Sequence, residues 1–187
     1  MEEYRLARLV IDGYGQVELN NAAFRRDGRI EAQCELDATD FASVPAENGM
    51  LLAVDNIRRV VKLPVSGEDY PIALVYSSEH IYDERTPGLK NFANRIGEFY
   101  PRLGYLSVGD KYTTNCISYD TNEFATEKDL KDAIDDVETT ALYAGISADG
   151  AHLISATKPS EGPVLMVRRA FTMPDGTYGV QLYCVKE

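Results

Sequence analysis

Along most of the chain, apolar residues fall in short runs rich in β-branched and aromatic side chains. Each run is closed by glycine, proline, asparagine or aspartate, the pattern of strands joined by tight turns. Residues 5–11 read as a first strand stopped by Asp12-Gly13. In 29–36, Ile30, Ala32, Cys34 and Leu36 alternate with Arg29, Glu31, Gln33 and Glu35. That is strict period two, a strand with one wet face; with residues 17–19 it flanks a loop turning at Asp27-Gly28. Asn48-Gly49 opens a strand over 50–54, and Asp55-Asn56 separates it from 58–63, which Pro64 ends. Gly67-Glu68-Asp69 leads into 71–76, an almost wholly apolar run that predicts a central strand. Three more hairpins follow: 105–108 with 111–117 around Gly109-Asp110, 141–147 with 152–156 around Asp149-Gly150, and 164–173 with 178–185 around Pro174-Asp175-Gly176. The last turn has a mechanism, since proline presets one dihedral and glycine accepts the positive one.

Two segments carry helical period instead. Leu89, Phe92, Ala93 and Ile96 form one apolar stripe within 88–99, and Leu130, Ile134 and Val137 form another within 126–138. Thr126 followed three residues later by Asp129 reads as a capping box, with acids in the first turn where the helix dipole favours them. The sum is about eleven strands and two short helices: a mainly β chain, a β-dominated α+β fold, built from hairpins as a barrel or sandwich. Residues 1–187 are expected to form a single domain, with a weak possible subdivision near 119–124. No βαβ units are present, which argues against a doubly wound nucleotide-binding sheet.

Charge changes the picture next. Nineteen lysines and arginines oppose thirty acids, for a net charge of −11. Nucleic-acid binding needs clustered cations and an anionic membrane surface needs the same, so neither partner is expected. Residues 120–138 hold eight of the acids against two lysines, more than half of the net excess. Asp132, Asp135, Asp136 and Glu138 lie on a predicted helix and not in a glycine-centred loop, so the reading is a solvated face, not a calcium site. An acidic contact for a basic partner is the functional alternative. The adjacent pairs Arg58-Arg59 and Arg168-Arg169 fall in predicted strands, where neighbours point to opposite faces; Arg25-Arg26 is a third such pair. The N-terminal Met-Glu-Glu-Tyr-Arg is acidic with no apolar segment after it, and no 18-residue apolar run exists, so neither a signal peptide nor a membrane span is expected.

Candidate chemistry is sparse. Cys34, Cys116 and Cys184 are far apart, without CxxC spacing, and read as buried free thiols suited to a reducing compartment. The two histidines are His80 and His152. His80 could serve as base to Ser77 or Ser78 with Asp83 or Glu84 as orienter, but three local residues seldom make a triad and no GxSxG elbow is present. Glu79, His80, Asp83 and Glu84 lack the helical frame of a zinc site. His152 stands alone at a hairpin start. Gly13-Tyr14-Gly15 and the glycines at 145–150 lack a phosphate-binding frame. No catalytic, cofactor or metal residue is therefore expected, and no cofactor. Twelve tyrosines, seven of them within 70–119, fit either strand composition or protein interfaces.

Three stretches carry a resemblance: Leu19-Asn20-Asn21-Ala22-Ala23-Phe24-Arg25-Arg26-Asp27-Gly28-Arg29-Ile30-Glu31-Ala32-Gln33-Cys34, Glu47-Asn48-Gly49-Met50-Leu51, and Pro101-Arg102-Leu103-Gly104-Tyr105-Leu106-Ser107-Val108-Gly109-Asp110-Lys111-Tyr112-Thr113-Thr114-Asn115. Together they resemble small virion structural proteins of tailed phages and prophages of Gram-positive bacteria. The likeness extends weakly to Ser155-Ala156-Thr157-Lys158-Pro159 and Met173-Pro174-Asp175-Gly176. It implies a non-enzymatic capsid-decorating (head auxiliary) protein that binds the major capsid protein lattice. Such a protein would be homo-oligomeric, located in the virion capsid and in the host cytoplasm during assembly. A tail-tube or head–tail joining protein is the first alternative. An acidic cytosolic β-domain that binds a basic partner or a small ligand is the second.

Overall fold

The computed structural model describes residues 6–17, 32–77, 89–98 and 100–186. The elements in chain order are β1 (Leu6–Arg8), β2 (Ala32–Gln33), β3 (Glu35–Leu36), β4 (Leu51–Asp55), β5 (Val60–Lys62), β6 (Ile72–Val75), β7 (Arg102–Tyr105), β8 (Lys111–Thr114), β9 (Ile117–Asp120), α1 (Glu127–Asp135), β10 (Tyr143–Ile146), β11 (His152–Ser155), β12 (Val164–Thr172) and β13 (Tyr178–Lys186). The fold is mainly β, as expected. Its strands form a six-stranded sheet in the order β2-β7-β6-β4-β5-β3 and a seven-stranded sheet in the order β1-β9-β11-β10-β12-β13-β8.

Each sheet curls back on itself through one kinked stretch of chain. In the six-stranded sheet the two edges, β2 and β3, are separated only by Cys34. β2 pairs antiparallel with β7, while β3 pairs parallel with β5. Leu52, Val54, Val61, Ala73, Val75 and Leu103 fill the interior so enclosed, with Cys34 and Leu36. The opposite face of the same strands, carrying Leu51 and Leu74, belongs to the second core. β4 is buried at every position because it has a core on both sides, and so its sequence reads as a continuous apolar run. β6 is likewise flanked by β4 and β7, the central strand that its composition predicts.

In the seven-stranded sheet, β8 and β9 lie far apart in the order yet are joined by Asn115 and Cys116 alone. Around them pack Tyr112, Ile117, Ile154, Leu165, Val180 and Leu182. α1 closes this core with Leu130 and Ile134. The capping box at Thr126 and Asp129 is present with both reciprocal bonds. Replacing Thr126 with alanine is expected to cost about 1 kcal/mol, since the first turn of the helix loses an amide acceptor; a urea midpoint unchanged from wild type would contradict it.

Three expectations are corrected. The helix predicted over 88–99 is not present in the described part, 89–98: a 3-10 turn at Leu89–Asn91 is followed by a bridge between Asn94 and Ala46. Asn94 exchanges both backbone hydrogen bonds with Ala46, at 2.8 and 2.9 Å, and this long-range pairing overrides the local stripe. Second, 105–108 and 111–117 are not a hairpin. The turn at Gly109-Asp110 exists, with Asp110 accepting the Ser107 amide at 2.7 Å, but Tyr105 pairs with Ala73 and Lys111 with Tyr183. The turn hands the chain from one sheet to the other. Third, Arg58 and Arg59 sit in the β4–β5 turn rather than in a strand, Arg59 at φ 59°, and a bulge at Arg168 leaves both Arg168 and Arg169 exposed. The other hairpins form as predicted. The strand predicted at 29–36 is described from Ala32 onward, with Cys34 and Leu36 buried and Glu35 exposed; its earlier residues, the stretch 18–31 and Arg25-Arg26 lie outside the described residues. Among those described, no helix is long and apolar enough to cross a membrane.

Candidate functional site

His152 is fully buried against the fully buried Tyr112, with the phenol oxygen 2.6 Å from Nε2. Its Nδ1 lies 3.1 Å from the Cys116 carbonyl oxygen, a position that only an N–H can satisfy. The ring is therefore the neutral Nδ1–H tautomer and accepts the tyrosine O–H at Nε2. Burial pushes His152 down to about 4 and pushes Tyr112 well above its usual value. Both ring nitrogens are engaged, so the pair serves as a polar pin in the core rather than as a base.

Beside it lies a junction between the two sheets that no local pattern in the sequence marks. The Arg8 guanidinium meets Glu47 at 3.1 and 3.3 Å, Cys116 Sγ at 3.1 Å and Asp149 at 3.7 Å. Glu47 also accepts the Gly15 amide. Burial raises the Cys116 thiol to about 12 and raises Cys34 as well, so these thiols are held protonated and poorly nucleophilic. All three cysteines are free and buried.

Ser77 is equally engaged. Its hydroxyl donates to Asn94 Oδ1 and accepts the Arg102 amide, each at 2.8 Å. Ser78, Glu79, His80, Asp83 and Glu84 lie outside the described residues. Among the described residues no cluster of three metal-ligating side chains exists.

The acids follow a rule that sequence reading missed. Many are amide acceptors in turns: Asp37 for Thr39, Asp55 for Arg58, Asp120 for Asn122 and Asp175 for Thr177, while Glu123 takes the distant Ala156 amide. The amides of Thr39 and Arg58 hold Asp37 and Asp55 below the usual carboxylate range. The helix acids are local too. Asp129 caps α1, Glu127 takes the Val10 amide and Lys131, and Asp132 pairs with Lys128. Asp132, Asp135, Asp136 and Glu138, read as a solvated face, are all exposed.

Among the described residues lies an open groove of about 890 Å³. One wall is the β5–β6 connection, residues 64–71, and the other is 157–162; the ends of β10 and β11 form its base. Through Tyr70, Pro71, Ile72 and Gly162 it continues into a second hollow of about 470 Å³ lined by Tyr105, Leu106 and Pro163. Rigid strands hold this floor: Ile72 begins β6 and Tyr105 ends β7. Lys62 stacks 5.0 Å from the Tyr70 ring, and Asn56 donates to the Tyr105 hydroxyl at 3.1 Å. Glu68, Asp69, Glu123 and Glu161 line the groove with a single lysine, Lys158. Two of the abundant tyrosines therefore fit the contact-surface reading, whereas Tyr112 and Tyr119 are core. No family model, curated protein or solved structure matches the chain.

Proposed function

We propose that the chain is a non-enzymatic virion structural protein that decorates the capsid by binding the major capsid protein lattice. The observation that carries this reading is the division between interior and surface. Inside, His152, Tyr112, Cys116, Arg8 and Ser77 hold the fold together. Outside, apolar side chains are left in water: Ile57 is 96% exposed at the β4–β5 tip, Val10 86%, and Val65, on the groove wall, 58%. Exposed apolar groups, together with a tyrosine-lined groove, suit contact with another protein. The sequence resemblance supplies the partner, and the negative net charge keeps such a protein off free DNA.

Empty shells assembled from a tailed-phage major capsid protein provide the test. Mixed with the purified protein and sedimented, they are expected to carry it down to a saturating, fixed ratio per capsid subunit. Protein that stays in the supernatant at every ratio, or that polymerises alone into rings or tubes, would overturn the proposal, the second result favouring a tail-tube or joining role.

A further inference from the structure

Several exposed acids, Glu98, Asp135 and Glu138 among them, hold no ion pair or side-chain hydrogen bond among the described residues, and two more stand on the groove rim. Among the described residues, the carboxylates of Glu68 and Asp69 have neither an ion-pair nor a hydrogen-bond partner, although both are exposed beside the apolar floor. Glu161, on the opposite wall, accepts only the Ser66 hydroxyl, at 3.2 Å. Acids that cap turns or pair with lysines are explained by the fold, and these two are not.

We infer that the groove is the docking site for an extended polypeptide segment bearing lysine or arginine, its apolar side chains on the floor of Tyr70, Ile72 and Tyr105 and its cations between Glu68, Asp69 and Glu161. This rests on the decoration proposal and assigns the segment to the lattice protein. Charge complementarity selects the occupant. A second copy of this chain carries the same net −11 and would be repelled, and phosphate-bearing nucleic acid would be repelled by the same rim. A small ligand is disfavoured by shape, because such sites enclose most of the ligand surface, whereas this groove is a wide one that shares residues with a second hollow beside it. An extended chain matches both the length and the alternation of apolar floor and acidic edge.

The sedimentation assay with empty shells, run at 50 and 500 mM salt, tests the inference with two double variants. Glu68→Lys with Asp69→Lys reverses the rim; Asp132→Lys with Asp136→Lys makes the same charge change on the exposed face of α1. Glu68 and Asp69 have no structural partner, so the rim variant is expected to melt as wild type does. Its shell affinity at 50 mM salt is expected to fall about tenfold or more, with the α1 variant within about twofold. Wild-type binding is expected to weaken at 500 mM, where screening shortens to a few ångströms. If the rim variant binds as wild type does, the docking site is wrong and the decoration reading stands. If both variants weaken equally, only net charge is at work and the groove assignment falls. If wild type does not bind shells at all, both readings fall.

Discussion

An alanine at position 49 is expected to cost about 3 kcal/mol and to lower the melting temperature by about 10 °C, on the scale of roughly 2–4 °C per kcal/mol for a chain of this size. Gly49 has φ +91°, and a Cβ there would lie 2.4 Å from Thr114 Oγ1 and 2.8 Å from Cys116 Cβ. Neither atom can yield easily. The Thr114 hydroxyl donates to the Gln16 carbonyl at 2.6 Å and accepts the Cys116 amide at 3.0 Å. The cost combines a left-handed backbone, about 1–2 kcal/mol, with overpacking of about 1–3 kcal/mol. Gly67 is the internal control, since it has φ +83° but nothing within 4 Å. Gly67→Ala should show the backbone cost alone, about 1 kcal/mol. Equal losses for the two variants in a thermal melt would refute the close approach of the two sheets at Gly49.

Acidification should expose the buried histidine. His152 titrates near 4 in the folded chain against an ordinary value of 6.5. Between those values the unfolded chain binds a proton that the folded chain refuses, so stability is complete above pH 6.5 and falls as pH drops toward 4. The total loss is on the order of 3 kcal/mol. The depressed carboxylates, Asp37, Asp55 and Asp175, act lower: their contribution is lost only as pH falls below their ordinary value of 3.8. Urea unfolding from pH 7 to 4.5 should therefore show a falling midpoint in wild type and a flatter one in His152→Gln, which retains an acceptor for Tyr112. Parallel pH dependences for the two proteins would contradict the assignment. So would an NMR titration of the His152 ring with a midpoint near 6.5.

What the sequence made legible was local. Asp149-Gly150 and Pro174-Asp175-Gly176 specify hairpins because the turn chemistry and both strands lie within one short window. The capping box at Thr126 and Asp129 is legible for the same reason. Pairing at long range was not. The stripe from Leu89 to Ile96 has helical spacing, but Asn94 pairs with Ala46, 48 positions away, which no local window contains. The turn at Gly109-Asp110 was readable, yet whether its flanks pair with each other or with distant strands depends on Ala73 and Tyr183. The same limit hid the Arg8–Glu47–Asp149 junction, whose members share no motif. Both walls of the groove were present in the sequence as turn-rich stretches, 64–71 and 157–162, without a sign that they face one another.

The acidic excess also takes a different meaning. Much of it satisfies amides at tight turns, a structural use that follows from a fold rich in hairpins. Glu68 and Asp69 on the groove rim are among the exposed acids left without such a use. The most direct measurement of the central claim is an image reconstruction of shells saturated with the protein. The account predicts density for a β-rich body at regular lattice positions, with the 64–71 and 157–162 walls turned toward the shell and a strand of capsid protein between them. Density confined to the tail, or bodies bound with that groove facing solvent, would contradict it.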